Sequence, residues 1–554
     1  MYIRTTSRKN ADGSVVRYVQ LAHNEWDQAA GCAKAKVLFN LGRYEQVDVE
    51  ALKRLVASIS RFLSPEDALK AQASVSAQSP LRFVSSRRFG GAWTLDQLWR
   101  RLGIQRVLVS LLEKRRFEAP IERAIFAMVA NRALAPSSKL AVENWVATEV
   151  AIPELEGIPV HQLYRAMDFL REATESLQQQ VFFAAADPLN LEVDLLYFDT
   201  TSTYFELDEE EPDLRRRGHS KDHRPDLPQA VIGLAVTRDG IPVRCWVWPG
   251  NTADSTVITK VKDDLVGWRL GRVITVVDRG FTSDDNLRYL QRTGGHYIAG
   301  VRLRSGKPGT EMALNRAGRF HTIRDNLEVK EIVVGNGEAR KRYVLVRNPH
   351  QAQKDRETRD KLLRRLQEEL AQLHALHPDE HPKAACTLLA HPVYGRYLRT
   401  DKKGGLHLNQ AKVREEEKLD GKYLLETSDD TLTPEDVALG YKQLLEVEDA
   451  FRTLKQTLEL RPVYHHLEDR IRTHVLLCWL ALLLVRVAEH QTGQTWRQLR
   501  NTLDTMHLGE FAGPDGRLLQ RTEATAAQRQ IFAKLQLPDP PLFMELQPTP
   551  VEKI

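Results

Sequence analysis

In DLLYFDTTS, Asp194 to Ser202, an apolar, strand-like run ends in a carboxylate, Asp199. Two more strands follow it, QAVIGLAVT and IPVRCWVWPG. Arg238-Asp239-Gly240 sits between them as a tight turn, which signals a hairpin. DSTVITKVKDDLVG then reads as a helix and VITVVD as a fourth strand, ending in Asp278. SDDNLRYLQRTG is a helix and HYIAGVR a fifth strand.

Three strands followed by alternating helix and strand match an α/β fold with a ribonuclease-H-like mixed-sheet core. The first and fourth strands of that architecture lie side by side. Asp199 and Asp278 are therefore expected on one edge of the sheet despite their distance in sequence. The closing helix is delayed. Residues 302–433 intervene, with strands EVKEIVVG, KRYVLVRN and KYLLETS and a charged helix, DRETRDKLLRRLQEELAQL. This reads as a β-rich insertion domain. The core resumes at Thr433-Pro434-Glu435, a capping residue followed by proline at the first helical position.

The resumed segment contains YKQLLEVEDAFRTLK, Tyr441–Lys455. It reads as one amphipathic helix. At about 100° per residue, positions seven apart nearly superimpose, so Tyr441, Glu448 and Lys455 share a face. Leu444, Val447, Phe451, Leu454 and Leu458 form the neighbouring apolar stripe, which should face a core. Glu448 is then at the rim, anchored yet within reach of solvent. Glu446 points away.

Two strand-end aspartates and a helical glutamate suit a paired-metal site. Mg²⁺ and Mn²⁺ take hard oxygen ligands. Two such ions roughly 3.5–4 Å apart activate the attacking oxygen and stabilise the leaving one in displacement at phosphorus. Asp199 is the natural bridging ligand, with Asp278 and Glu448 each completing one metal. Arg452 and Lys455 lie near enough to Glu448 to touch a phosphate; for Arg452 an ordinary pair with Glu448 is the competing reading. Tyr441 either hydrogen-bonds DNA backbone or covers the core edge. Asp254 reads as the cap of its helix, Asp284 and Asp285 as solvated first-turn residues, and Trp246 and Trp248 as core. His465, His466 and His474 have no suitably spaced partner for zinc. Gly300–Lys307 lacks the spacing and the Ser/Thr of a phosphate-binding loop, so no nucleotide cofactor is expected.

The flanking regions are less telling. Residues 1–75 suggest a βα unit: IRTTSRKN and SVVRYVQLAH around an Asn10–Gly13 turn, AKVLFNLG, then the helix VDVEALKRLVASISRFL. Residues 76–190 are helical, either a DNA-end-binding region or a structural layer. The catalytic core is assigned to 191–301 plus 434–490, the insertion to 302–433 and a C-terminal region to 491–554. A net charge of +5 over 554 residues is compatible with nucleic-acid binding without demanding it. Four scattered cysteines suggest reduced, mostly buried thiols in a cytoplasmic protein. MYIRTTSRKN lacks the apolar core of a signal peptide, and VLLCWLALLLV at 475–485 falls short of the roughly 20 residues of a membrane span, so it reads as a buried helix. The acidic run at 208–212 followed by Arg215, Arg216 and Arg217 reads as a polar loop.

DTTSTYFE around Asp199, PGNTADS near Asp254, VVDRGF around Asp278 and YKQLLEVEDAFRTLK together resemble the DDE transposases of bacterial insertion sequences. The nearest branch has a β-rich insertion before its glutamate and a Tyr–Arg–Glu–Lys signature. The resemblance covers about 190–301 and 430–490. It implies Asp199, Asp278 and Glu448 as the metal-binding triad, and Tyr441 and Lys455 as DNA-contacting residues. The signature's arginine is replaced by Leu444, so either Arg452 or Lys442 substitutes or that contact is dispensable in this subgroup. Implied partners are double-stranded DNA, as inverted-repeat ends and target, and a second copy of the chain on that DNA. Strand cleavage followed by 3′-hydroxyl attack is the implied reaction. A nuclease without strand transfer, or a catalytically silent repressor of the element, remain the alternatives.

Overall fold

The computed structural model describes residues 2–548 except 11–13, 28–30, 61–63, 65–81, 114, 116–119, 192, 208, 211–212, 269, 271, 305, 338–339, 376–380, 403 and 514–515. Its contacts divide into two compact units. The first comprises Met1–Val84 with Phe511–Arg517 and Leu546–Ile554, and the second Ser85–Glu510 with Leu518–Glu545.

In the first unit β1 (Tyr2–Lys9), β2 (Val15–Asp27) and β3 (Cys32–Arg43) form an antiparallel sheet in that order, and the helix Val49–Ser60 follows. The three strands and helix read from the sequence are present. The Asn10–Gly13 turn lies largely outside the described residues.

After β4 (Arg82–Arg88) come helices Gly90–Arg101, Ile104–Leu112, Ile121–Leu134, Lys139–Thr148 and Val160–Leu189. Every residue of Ile121–Leu134 is buried, so this helix is wrapped on all sides. Its charges are paired: Arg123 bonds both Glu122 and Asp96, and the Trp99 indole donates to Glu122. Burial of such groups is tolerable only with partners of this kind.

A nine-stranded mixed sheet dominates the second unit. It contains β5 (Leu195–Tyr204), β6 (Gln229–Thr237), β7 (Pro242–Pro249), β8 (Ile274–Val277) and β9 (His296–Val301). Beyond them lie β10 (His321–Arg324), β11 (Leu327–Val334), β12 (Lys341–Arg347) and β15 (Lys422–Thr427). The order is β10-β11-β12-β15-β9-β8-β5-β6-β7. The first and fourth strands read from the sequence, β5 and β8, are paired and parallel. Side chains of β5 feed two cores on opposite faces, Tyr197 on one side and Leu196 and Phe198 on the other. That is why the run is apolar without alternation. The β6–β7 hairpin closes with Gly240 at φ +71°, a conformation that glycine adopts freely.

Residues 302–433 do not stand apart from this sheet. Four of their strands lengthen it beyond β9, with β15 antiparallel to β9. The remainder builds a small core of its own. Leu366, Leu370 and Leu373 of the helix Pro349–Ala375 pack there with Tyr397, Leu398 and Leu406, around the hairpin of β13 (Leu398–Thr400) and β14 (Leu406–Leu408).

The return to the core begins with a capping box. The Thr433 hydroxyl accepts from the Asp436 amide, the Asp436 carboxylate accepts from the Thr433 amide, and Pro434 takes the first turn. The stretch Tyr441–Lys455 is not the single helix expected. A helix at Pro434–Lys442 stops, a second runs Leu445–Arg452, and a π-turn spans Thr453–Thr457. Across the break the amides of Leu444, Glu446 and Val447 bond three residues back, to Tyr441, Gln443 and Leu444. Such tight turns rotate the chain faster than an α-helix, and the π-turn rotates it more slowly. The seven-residue spacing of a regular α-helix therefore does not by itself relate Tyr441, Glu448 and Lys455. The apolar stripe survives: Leu444, Val447, Phe451, Leu454 and Leu458 are all buried.

Helix Glu468–Thr492 is long and apolar enough to cross a membrane, but 89% of its most apolar window is buried inside the protein, as befits a core helix. Helices Trp496–Leu503 and Ala526–Lys534 and strands β16 (His507–Gly513), β17 (Gly516–Arg521) and β18 (Phe543–Pro548) complete the chain. Cys245 and Cys478 are buried, whereas Cys32 and Cys386 are exposed, contrary to a mostly buried set.

Candidate active site

The parallel pairing of β5 and β8 ends at Phe198 opposite Val277. The next residue in each case is an aspartate: Asp278 ends β8 as expected, just past Val277, whereas Asp199 lies in the middle of β5, which runs on to Tyr204, and is not at a strand end. Neighbouring strands lie about 4.8 Å apart and in-register side chains share a face, so the two carboxylates rise side by side. Their face also carries Tyr197, and the helices Pro434–Lys442 and Leu445–Arg452 cross it. The Tyr441 hydroxyl donates to Asp278 Oδ1 at 2.7 Å. The Tyr197 hydroxyl donates to Gln443 Oε1 at 2.9 Å, which ties the helix break to the strand.

Asp199 is pushed up to about 6, first by burial, with the charges of Asp254 and Asp278 adding to the effect. The Lys221 ammonium and the Thr200 amide oppose it. Lys221 Nζ stands among four oxygens. It is 2.7 Å from the Thr200 carbonyl, 2.7 Å from Thr200 Oγ1, 3.2 Å from Asp254 Oδ2 and 3.6 Å from Asp199 Oδ1. Asp254 departs from its expected role as a cap. Ala253 holds the cap position with no side-chain bond, while the Asp254 carboxylate accepts from Thr200 Oγ1 and pairs with Lys221.

A second ionic group adjoins the first. Lys455 Nζ is 2.7 Å from Asp222 Oδ1, and Arg461 Nη1 is 3.3 Å from Asp222 Oδ2. Lys455 is held below its ordinary pKa, because burial outweighs the attraction of Asp222. The Arg461 guanidinium also lies over the Tyr204 ring, 4.3 Å from its centroid.

The residues singled out in the sequence are thus distributed unevenly. Asp199 and Asp278 are brought together. Glu448 is exposed on the helix that crosses β5 and β6, and it makes no hydrogen bond or ion pair to any described residue. Its neighbours Val447, Ala450 and Phe451 supply the buried face. Tyr441 is half-buried beneath Asp278, with its hydroxyl raised far above the phenol range by burial and then by the Asp278 charge. Arg452 is exposed and paired with Asp449 at 2.8 Å, not with Glu448. Glu446 does point away, bonded to Arg486 of the core helix. Trp246 is buried and stacks on Trp248. The His474 and His465 rings lie 5.8 Å apart. Nε2 of His474 faces the Leu460 carbonyl.

Sequence reasoning passed over Lys221, Asp222 and Arg461. Lys221 and Asp222 lie in the connection between β5 and β6, which the sequence presents only as a polar loop. One signal was available: unstructured connections longer than about 12 residues tend to be functional. The loop is not wholly solvated either, since Leu214 and Arg215 are buried. Asp208, Glu211 and Pro212 of its acidic run are outside the described residues.

Among the described residues, no three His, Cys, Asp or Glu side chains are grouped closely enough to hold a metal ion. The donor set nevertheless suits one. Asp199, Asp254 and Asp278 offer hard oxygens, the preference of Mg²⁺ and Mn²⁺. A cationic group, the Lys221 ammonium, already sits among oxygens of Asp199, Asp254 and Thr200 as a stand-in.

Comparison with known proteins gives two family matches. Residues 3–71 match the N-terminal domain of IS1634 family transposases, and residues 211–484 match the transposase DDE domain. Asp278 and Glu448 fall inside the second match, and Asp199 just precedes it. Among solved structures, a cryo-EM structure of the piggyBac transposase synaptic complex with hairpin DNA is similar over 75% of this chain and 79% of that one, at 10% identity and a TM-score of 0.35. No curated protein matches the chain. Both family models describe parts of one kind of enzyme, in the order in which this chain carries them: the protein is an insertion-sequence DDE transposase of the IS1634 type.

Proposed function

We propose that Asp199, Asp278 and Glu448 are the carboxylates of a ribonuclease-H-like catalytic core that holds two Mg²⁺ or Mn²⁺ ions. The DDE family generally uses divalent metals. Such ions activate the attacking oxygen and stabilise the leaving one at phosphorus. The protein's part is positioning. Asp199, central on β5, is fixed by its strand, and Asp278 is oriented by the Tyr441 hydroxyl. Glu448 rides on a helix that crosses β5 and is anchored by Val447 and Phe451, and its carboxylate is not engaged by any described residue. The observation that carries this reading is that Asp199 within β5 and Asp278 just past β8 each follow the last pair of the two parallel strands.

The substrate is double-stranded DNA at the inverted-repeat ends of the element. A strand is hydrolysed at each end, and the liberated 3′-hydroxyl then attacks target DNA. Lys455 and Arg452 supply positive charge for the phosphates. Tyr441 supports a DNA contact less well, because its hydroxyl is already given to Asp278. Bringing two ends together calls for a homodimer on DNA, working in the cytoplasm at the nucleoid. Residues 302–433, with their own small core, act as a functional insertion within this machine.

The test uses element-end duplex with Mg²⁺ or Mn²⁺, scored separately for strand cleavage and for joining to a second duplex. Asp278→Ala is expected to reduce both to background while leaving the thermal melt intact. Cleavage at the wild-type rate by that variant overturns the assignment. Cleavage without joining by the wild type selects the nuclease alternative.

A further inference from the structure

Lys221 and Asp222 are consecutive residues whose side chains close two charged sites at once. We propose that this dipeptide is an internal plug: the Lys221 ammonium occupies the place of a divalent cation between Asp199 and Asp254, and the Asp222 carboxylate occupies the place of a DNA phosphate between Lys455 and Arg461.

The first half rests on the four oxygens around Lys221 Nζ, two of them belonging to carboxylates and two to Thr200. That is an all-oxygen cation seat, and it adds Asp254 and Thr200 to the surroundings of Asp199. The second half rests on the ion pairs of Asp222 with Lys455 and Arg461. A carboxylate and a phosphate share the anionic oxygens that Lys and Arg recognise. Asp222 is mostly buried, so these are not solvated pairs of negligible strength.

The backbone holds the plug in register. The Lys221 amide donates to Ser202 Oγ on β5 at 2.9 Å. Ser220 Oγ accepts from the amides of Asp222 and Arg224, which closes a tight turn. Just upstream, Gly218 lies against Gly250, where an added Cβ would sit 2.1 Å from the Gly250 carbonyl. The connection is therefore pinned by its backbone around the dipeptide, and the two side chains are held by the ionic contacts they would exchange. Metal and DNA then bind by exchange: a divalent ion displaces an ammonium, and a phosphate displaces a carboxylate. Each exchange replaces charge with like charge, so neither leaves Asp199 or Lys455 uncompensated.

This inference rests on the metal-site reading above, and the experiment separates the two. Mn²⁺ binding to the full-length protein is followed by electron paramagnetic resonance, and amine reactivity of Lys221 by acetylation and mass spectrometry. Wild-type Lys221 is expected to be acetylated faster as Mn²⁺ is added. Lys221→Met is expected to bind Mn²⁺ roughly tenfold more tightly, a difference of about 1.4 kcal/mol. Asp222→Asn is expected to bind a fluorescent random-sequence duplex more tightly, with the salt slope steeper by about 1 as Lys455 gains a phosphate. Mn²⁺ binding that depends on Asp199 and Asp278 but leaves Lys221 reactivity unchanged overturns the plug and spares the metal site. Absence of Mn²⁺ binding in wild type and Lys221→Met alike overturns the metal site itself. A purely structural role for Lys221 predicts weaker metal binding in Lys221→Met, the opposite sign. Should that variant fail to fold, the wild-type acetylation experiment decides alone.

Discussion

A single buried charge shows how far a residue's surroundings outweigh its type. Lys139 is 3% exposed and opens the helix Lys139–Thr148. A cation at a helix N-terminus is already misplaced with respect to the dipole. Burial, followed by repulsion from Arg132, lowers its pKa to about 7. The unfolded chain keeps the ordinary lysine value near 10.4, so between about pH 7 and 10 it binds the proton more tightly than the fold does. The penalty on folding is complete below pH 7 and fades as pH rises toward 10. Lys139→Met, which keeps the stem and drops the charge, should therefore stabilise the protein by at least ~1 kcal/mol at pH 7, and by much less at pH 10. Urea denaturation at the two pH values checks it; an equal gain at both contradicts the account. None of this was legible in the sequence, where Lys139 looks like any polar helix residue. Lys221 escaped notice for the same reason: its importance comes from Asp199 and Asp254, residues that only the fold brings near.

The element that carries Glu448 teaches a different lesson. Its apolar stripe was readable because packing repeats at helical spacing, and all five stripe residues are buried. Its interruption was not readable. No proline or glycine marks Gln443 and Leu444. The break follows from contacts with the sheet: Gln443 is bonded to Tyr197, and Gly440 packs within reach of Leu195 and Ile298. Tyr441, the last turn before the break, lies over Gly300 of β9, where a Cβ would come within 2.3 Å of its hydroxyl. Glycine at 300 thus makes room for the side chain that orients Asp278. Gly300→Ala should push Tyr441 aside and lower stability by about 1–3 kcal/mol, the usual range for overpacking. In a Tyr441→Leu background the same substitution should do markedly less, since the clashing hydroxyl is gone. A double-mutant cycle on thermal melts measures this coupling, and strict additivity would contradict it.

Across the whole molecule, what could be read from the sequence was what hydrophobic runs encode. The five core strands and the adjacency of β5 and β8 follow from apolar segments buried on two faces and from the order of elements. The reach of the sheet was harder to see, because edge-to-edge pairing leaves no periodic mark. β15 looks like an insertion strand yet lies directly against β9. The same core joins distant parts of the second unit. One continuous cluster includes Trp99 and Phe126 of the helical layer, Tyr197 and Ile298 of the sheet, Leu480 of the core helix and Phe532 near the C-terminus. A cavity opened at its centre is felt by all of these layers, since interiors are packed too densely to close around it. Leu480, fully buried within helix Glu468–Thr492, is such a centre. Leu480→Ala should lower stability by about 2–5 kcal/mol. Because helical layer and sheet share that cluster, the fall should appear as one shifted transition in tryptophan fluorescence, not as early loss of a part. A biphasic melt in the variant would mean that layers which share a core can nevertheless unfold separately.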